Sequence, residues 1–440
     1  MDLIYGIKDK PKFGKVVLFA IQQLLAIMAA TIAVPAIVGH GLTASAALFG
    51  AGVGTFVYLL FTKSSSPVFL GSSFAFIGSM FSAFGGAASV TVGYWGLIIG
   101  ALMAGLVYVI IAIAVKFFGV KWIDRLLPPV IIGPTVSIIG LSLSANAIGD
   151  LMKSSVSGGS TYIALLCGLT TLAVTMLCST YGKNIGRLIP FILGILAGYL
   201  LASIFALIGE LTGNSSLIVI NFGALNSVKG LLALPKFTFL IGGTEGLKGI
   251  NASYLLTLFA AYVPVAFVVF AEHLADHKNL SSIIGTDLLK EPGLTRTLLG
   301  DGIGTMVSTL FGGCPNTTYG ESIGCVAITR NASTISIWGC AVLCIIVSLI
   351  SPIVAFLETI PSCVMGGVCI ALYGFIAVSG FKMFQTVDLN KNKNLFVASV
   401  IFITGVGGMV VKFGAVEIRT VACALILGIL TNVMLGKEDK

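Results

Sequence analysis

Few residues in this chain could do chemistry, and two of them are carboxylates in unusual company. Glu272 closes an apolar run in Val268-Val269-Phe270-Ala271-Glu272-His273-Leu274-Ala275-Asp276-His277. Glu321 sits in Gly312-Gly313-Cys314-Pro315-Asn316-Thr317-Thr318-Tyr319-Gly320-Glu321-Ser322-Ile323-Gly324. An ionised carboxylate inside a bilayer is costly, and such groups mark substrate or proton routes. A low-dielectric setting favours the neutral acid, which suits a group that must load and unload a proton. Asp276 lies four residues after Glu272, so on a helix the two share a face, with Asp276 one turn nearer the cytoplasm. Asp301 is a further candidate, either as a helix cap or as part of a proton route. His273, on another face, reads as structural.

The second functional material is main chain. The segment Pro67-Val68-Phe69-Leu70-Gly71-Ser72-Ser73-Phe74-Ala75-Phe76 and the 312–324 segment are both short, broken by Gly and Pro, and rich in hydroxyls. Irregular backbone at membrane depth is tolerated only where protein or a cavity satisfies it. A half-helix starting there points free N–H groups and a positive dipole end at a ligand. Carboxylates facing backbone amides suit a flat ring with alternating N–H and carbonyl groups, such as a pyrimidine dione. Phe74, Tyr319 and Tyr373 are placed to stack on it. With three His in the chain, no metal cluster is expected. No nucleophile–base pair and no phosphate loop is visible either, which argues against a membrane enzyme.

These groups must be held by a membrane scaffold. Of 440 residues, 57% are hydrophobic and 10% charged, where soluble proteins run near 45–50% and about 25%. Mean hydropathy is +1.06. A soluble enzyme, a disordered chain and a nucleic-acid-binding module are excluded; the net charge of +8 comes from 25 thinly spread Lys and Arg. The nine cysteines fall mostly in apolar stretches and form no CxxC pair, so they read as small buried hydrophobes. The apolar run after Lys15 is too long for a signal peptide and reads as a retained span.

Charge-free stretches at 16–62 and 64–115 are each long enough for two spans. Single spans follow at 126–149, 154–182 and 188–209, making seven. A second set runs 249–271, 302–320, 317–329, 331–357, 359–381, 394–411 and 420–436, making fourteen in all. With the N-terminus inside, the cytoplasmic side holds Lys8, Lys10, Lys12, Lys15, Lys63, Lys116, Lys121, Arg125, Lys183, Arg187, Lys278, Lys290, Arg296, Arg330, Lys382, Lys391, Lys393, Lys437 and Lys440. The opposite side holds only Lys153, Lys229, Lys236, Lys248, Lys412 and Arg419. That asymmetry follows the positive-inside rule and puts both termini in the cytoplasm. The broken segments fall in spans three and ten, each third in its set of seven. Paired interruptions at equivalent places point to an inverted-repeat transporter with its site at the midplane.

The segment from Thr317 to Arg330, Thr-Thr-Tyr-Gly-Glu-Ser-Ile-Gly-Cys-Val-Ala-Ile-Thr-Arg, resembles the signature of the nucleobase–ascorbate transporter (nucleobase:cation symporter-2) family. Ala271-Glu272-His273, Leu70-Gly71-Ser72-Ser73-Phe74-Ala75-Phe76 and Val364-Met365-Gly366-Gly367-Val368 match in the same order. The linker Asp287-Leu288-Leu289-Lys290-Glu291-Pro292-Gly293-Leu294 is similar to a cytoplasmic loop of bacterial uracil permeases. The resemblance covers nearly the whole chain.

It implies an all-α polytopic membrane protein with a 7+7 inverted repeat, divided into core and gate. The core would be residues 1–125 (spans 1–4) and 249–358 (spans 8–11), and the gate 126–248 (spans 5–7) and 359–440 (spans 12–14). It implies proton-driven nucleobase uptake, uracil first, by movement of core against gate in the cell membrane, often as a homodimer, with the proton as the coupling ion and no other cofactor. Glu272 and Glu321 would hold the ring's N–H groups, and the amides of Phe74 and Gly320 would meet its carbonyls. Ser73 and Tyr319 would line the site, Tyr373 would reach it from the gate, and Glu272, Asp276, Glu321 and Asp301 would serve proton coupling. Three positions depart from the family pattern: Ser322 where Asn is usual, Gln23 where His is usual, and Asp276 where some uracil permeases have His. A xanthine or urate permease of the same family is the nearest alternative, and an anion carrier of the same fold is a more distant one.

Overall fold

The structure is a computed structural model and describes residues 3–436 apart from 120–121, 123–126, 184, 229 and 414–415. Lys121, Arg125, Lys229, Lys437 and Lys440 of the charge pattern lie outside the described residues. The chain is mostly helical. Among the described residues, eight helices are long and apolar enough to cross a membrane, from Phe13–Val38 to Ser362–Phe384, and three shorter apolar helices add to them: Thr334–Leu349, Asn392–Val406 and Thr420–Met434.

Helix ends differ from the edges of the charge-free stretches. The run ending at residue 271 is part of a helix from Ala252 to Ile284, so Glu272 lies well inside a helix rather than at its end. The stretch expected to begin at 302 belongs to a helix from Leu294 to Gly312. Asp301 therefore sits within that helix and is not its cap. The physical reason is common to both: the charges that end these stretches, Glu272 and Asp301, are internal carboxylates carried within the helices rather than marks of where a span leaves the bilayer. The stretch 126–149 divides into Pro129–Ser142 and Ser144–Leu151.

All-α needs one correction. The two broken segments pair as β-strands. β1 (Leu70–Ser72) and β2 (Asn316–Thr318) run antiparallel, with Leu70 opposite Thr318, Gly71 opposite Thr317 and Ser72 opposite Asn316. The Ser73 amide donates to the Pro315 carbonyl at 2.8 Å, and the Tyr319 amide to the Phe69 carbonyl at 3.2 Å, extending the ladder. Each segment thus satisfies the other's backbone, as buried polar main chain requires. Each strand leads toward a short helix, Ile77–Gly85 after β1 and Gly320–Thr329 after β2. A second pair, β3 (Val411–Phe413) with β4 (Val416–Ile418), precedes the last helix.

Close helix packing fixes the strands in place. Ala44–Phe61 lies along Leu294–Gly312. A Cβ on Gly54 would fall 3.0 Å from the Gly304 carbonyl oxygen, and one on Gly304 2.8 Å from that of Gly54. Only hydrogens allow this approach, as expected for small-residue packing in membranes. Val90–Phe118 packs on Leu294–Gly312, and Ala252–Ile284 packs in turn on Val90–Phe118; elsewhere Pro129–Ser142 lies along Ser362–Phe384, Thr161–Tyr181 along Pro190–Thr212, and Asn392–Val406 along Thr420–Met434.

Candidate functional site

A cavity of about 340 Å³ lies where the strand pair meets the helices packed across from it. One wall is built from Phe74 and Ala75 after β1, Glu272 and Asp276 on Ala252–Ile284, and the run Thr317 to Glu321. The facing wall comes from whole helices and carries Ile139, Phe191, Leu372, Phe375, Ile376 and Ser379. Ser179, Arg187 and Met383 also line it, near the ends of Thr161–Tyr181, Ile185–Leu188 and Ser362–Phe384. A second cavity of about 220 Å³ shares Phe74, Ala75 and Ile139 with the first, so these three side chains form the partition between them.

The polar wall follows from its local structure. Gly320–Thr329 starts directly after β2, with Glu321 in its first turn and no side chain capping it. Negative charge there meets the positive end of the helix dipole. The amides of Phe74 and Gly320 make no backbone hydrogen bond among the described residues. A Cβ on Gly320 would touch nothing within 4 Å, so that face opens onto the cavity. The carboxylate of Glu272 makes no hydrogen bond to another residue among those described, nor does that of Glu321. Asp276 is better satisfied: its Oδ2 accepts from Thr318 Oγ1 at 2.6 Å. Three carboxylates face one cavity that Arg187 also lines, and their mutual repulsion is offset by that cation, by protons or by donors that enter it.

Of the residues singled out by sequence, Glu272, Asp276, Phe74, Tyr319, Gly320 and Glu321 come together on this wall. Three stand behind it. Ser73 is fully buried, and its side chain does not line the cavity. Tyr373 packs edge-on against the Phe74 ring at 5.6 Å and reaches the cavity only through that ring; its neighbours Leu372, Phe375 and Ile376 form the wall. Asp301 is buried on the far side of Ala252–Ile284, where its Oδ2 meets His273 Nδ1 at 2.7 Å.

His273 also contacts Thr297 Oγ1 at 3.0 Å and stacks on His277 at 4.0 Å between ring centres. His277 Nδ1 donates to the His273 carbonyl at 2.8 Å, which leaves Nε2 to accept from the Tyr58 hydroxyl, also at 2.8 Å. A carbonyl cannot pass a proton on, so this arrangement fixes a tautomer and ties helices together. The His273 ring has both nitrogens engaged, by Asp301 and by Thr297. Sequence reasoning missed Thr317, whose hydroxyl is buried without a partner at the cavity wall. No group of three or more His, Cys, Asp or Glu residues fit to hold a metal is found among the described residues, and the nine cysteines are free thiols.

A profile of the Permease family matches residues 14–413. The chain belongs to this family of transporters and is not an enzyme. It is 37% identical to the uracil permease of Bacillus subtilis over 99% of its own length and 96% of that protein's. It is 38% identical to the uracil permease of Bacillus caldolyticus (98% and 94% covered) and 35% identical to that of Escherichia coli K12 (96% and 92% covered). Among solved structures, the transmembrane domain of the cyanobacterial bicarbonate transporter BicA superposes with a TM-score of 0.62 at 18% identity, covering 97% of this chain and 99% of that one. The murine anion transporter Solute Carrier 26 family member A9, in its inward-facing state, gives 0.61 at 11% identity, covering 98% and 69%. At those identities the likeness is one of fold. The permease is thus a multi-pass membrane protein on a scaffold that other transporters share.

Proposed function

We propose that this permease carries a nucleobase, uracil foremost, into the cell together with a proton. The observation that carries the reading is the pairing on one cavity wall of two carboxylates that bond no other described residue, Glu272 and Glu321, with two backbone amides, those of Phe74 and Gly320, that make no backbone hydrogen bond among the described residues. Uracil offers two ring N–H donors and two carbonyl acceptors in one plane, and this wall offers the complement. The naming of the curated relatives as uracil permeases supports the same substrate. An anion carrier on this fold is disfavoured, because three carboxylates on the wall outnumber Arg187, the cation among the described residues that line the cavity.

In this reading the chain spans the bilayer fourteen times as two inverted sets of seven, with both ends in the cytoplasm. Residues 1–125 and 249–358 form a core that carries the polar wall, and 126–248 and 359–440 form a gate that supplies the apolar one. The way helices associate, Ala44–Phe61 with Leu294–Gly312 and Pro129–Ser142 with Ser362–Phe384, supports that division. Sliding the core against the gate would carry the polar wall, Phe74 included, past Ile139 and expose it to the other side, with Glu272, Asp276 and Glu321 carrying the proton.

The direct test is binding and uptake. Purified permease is heated with a panel of pyrimidines and purines, since a ligand that binds the folded state raises the melting temperature by mass action. Uracil should raise it most, and labelled uracil uptake should collapse with an uncoupler. A purine that stabilises while uracil does not would transfer the assignment to a xanthine or urate permease. Uptake indifferent to the uncoupler would remove the proton.

A further inference from the structure

We infer that Gln23 is a positioning residue for the substrate site, acting through Ser322 on the Gly320–Glu321 turn. The inference rests on the nucleobase reading above and extends it to a residue that does not itself line the cavity. Gln23 is on helix Phe13–Val38, buried at 3% exposure, and Ser322 is fully buried. The Gln23 side-chain amide donates to Ser322 Oγ at 2.6 Å and lies 3.2 Å from the Ser322 carbonyl, across 299 residues of chain. Ser322 Oγ also accepts the Phe69 amide at 3.0 Å, so one hydroxyl takes a donor from the first helix and another from the first broken segment. The Phe69 carbonyl in turn accepts the Tyr319 amide. Gln23, Ser322, Phe69 and Tyr319 thus link one helix to both broken segments.

The same helix braces the other side of the turn. Thr31, eight residues after Gln23, approaches the Tyr319 hydroxyl at 3.5 Å, and that hydroxyl donates to the Ser72 carbonyl at 2.8 Å. Tyr319 and Ser322 flank Gly320 and Glu321, the pair that presents an amide and a carboxylate to the cavity. Without a side chain capping Gly320–Thr329, the direction of its first turn depends on these flanking contacts. Gln23 and Ser322 are therefore partners, a long amide and a short hydroxyl that together span the gap between the first helix and the turn.

The experiment is uracil uptake by cells carrying wild type, Gln23→Leu, Ser322→Ala, the double variant and Gln23→His, with membrane abundance and melting temperature measured for each. Gln23→Leu keeps the bulk and removes the donor. It should raise KM about tenfold, the scale of one buried hydrogen bond, while the maximal rate per transporter stays within about threefold. Gln23→His, whose ring N–H also donates, should restore most of the affinity. The double variant should cost less than the two single losses multiplied, because both act through one contact. A normal KM in Gln23→Leu, while wild type transports uracil, overturns the positioning role and leaves the substrate assignment standing. If wild type takes up no uracil, the assignment itself falls. Failure of both single variants to reach the membrane would make the pair a folding element and also reject the inference.

Discussion

The two walls of the cavity are built by opposite means. On one, helices stop, two strands pair, and carboxylates and amides face inward. On the other, helices run through, and Ile139, Phe191, Leu372, Phe375 and Ile376 offer hydrocarbon relieved by the hydroxyl of Ser379. Broken backbone is expensive in a membrane and is kept where its free groups are used. Continuous apolar helices are inexpensive there and slide past neighbours without leaving hydrogen bonds behind. The contrast suggests a division of labour in which the irregular wall recognises and the regular wall seals. Such a division makes unequal demands on substitutions at equal distance from the cavity.

The largest expected effect is on the irregular wall. Glu272→Gln and Glu321→Gln preserve shape but replace an acceptor-only group with a mixed one. Each should bring labelled-uracil uptake to background while membrane abundance stays normal, since a charge-assisted hydrogen bond is worth about 1.5–3 kcal/mol and the proton site goes with it. Retained uptake in either variant would take that carboxylate out of the site. Next comes Gly71→Ala. A Cβ there would overlap the Tyr319 ring, and overpacking of this kind costs roughly 1–3 kcal/mol. A lowered melting temperature and strongly reduced uptake are expected. A variant that unfolds like wild type would mean that the strand pair has slack.

Gly320→Ala separates recognition from stability. Its new methyl would meet no protein atom within 4 Å and would project toward the cavity. The melting temperature should hold, and KM should rise about tenfold, the order of a misplaced methyl group in a fitted pocket. An unchanged KM would show that the ring does not sit against this amide. Asp276→Asn should do less to binding, because the amide oxygen can still accept from Thr318, now held at 2.6 Å. It removes a titrating group, so the pH profile of uptake should shift more than equilibrium binding does. An unchanged profile would relieve Asp276 of any part in coupling.

Much of the irregular wall was readable from sequence because its chemistry is exceptional in context. Glu272 and Glu321 stand out against apolar surroundings, and Gly-Pro interruptions stand out against helix. Pairing between the interruptions was not readable: it joins Leu70 to Thr318 across most of the chain, and no local pattern encodes a partner so distant. Asp301 as a helix cap fails for a related reason: its partner His273 lies opposite on another helix, while in sequence it only follows a basic loop. Tyr373 is an aromatic in an apolar helix, and the rotation of Ser362–Phe384, which no local pattern sets, puts Leu372 and Ile376 on the cavity instead. Helix edges were blurred because an internal carboxylate ends a charge-free stretch, whereas hydrogen bonding sets where a helix stops.

The smallest expected effect belongs to the sealing wall, and it tests the contrast most sharply. Ser379 is the hydroxyl that Ser362–Phe384 contributes to the cavity. If recognition resides on the opposite wall, Ser379→Ala should change KM less than about threefold, because a hydrogen bond to a partly solvated hydroxyl is exchanged readily with water. Uracil and a thymine competitor should keep their relative affinities. A tenfold loss, or a reordering of the two pyrimidines, would mean that the moving boundary also reads the polar edge of the ring. The apolar helices would then be selective as well as occluding, and movement between the walls would itself break a substrate contact at each cycle.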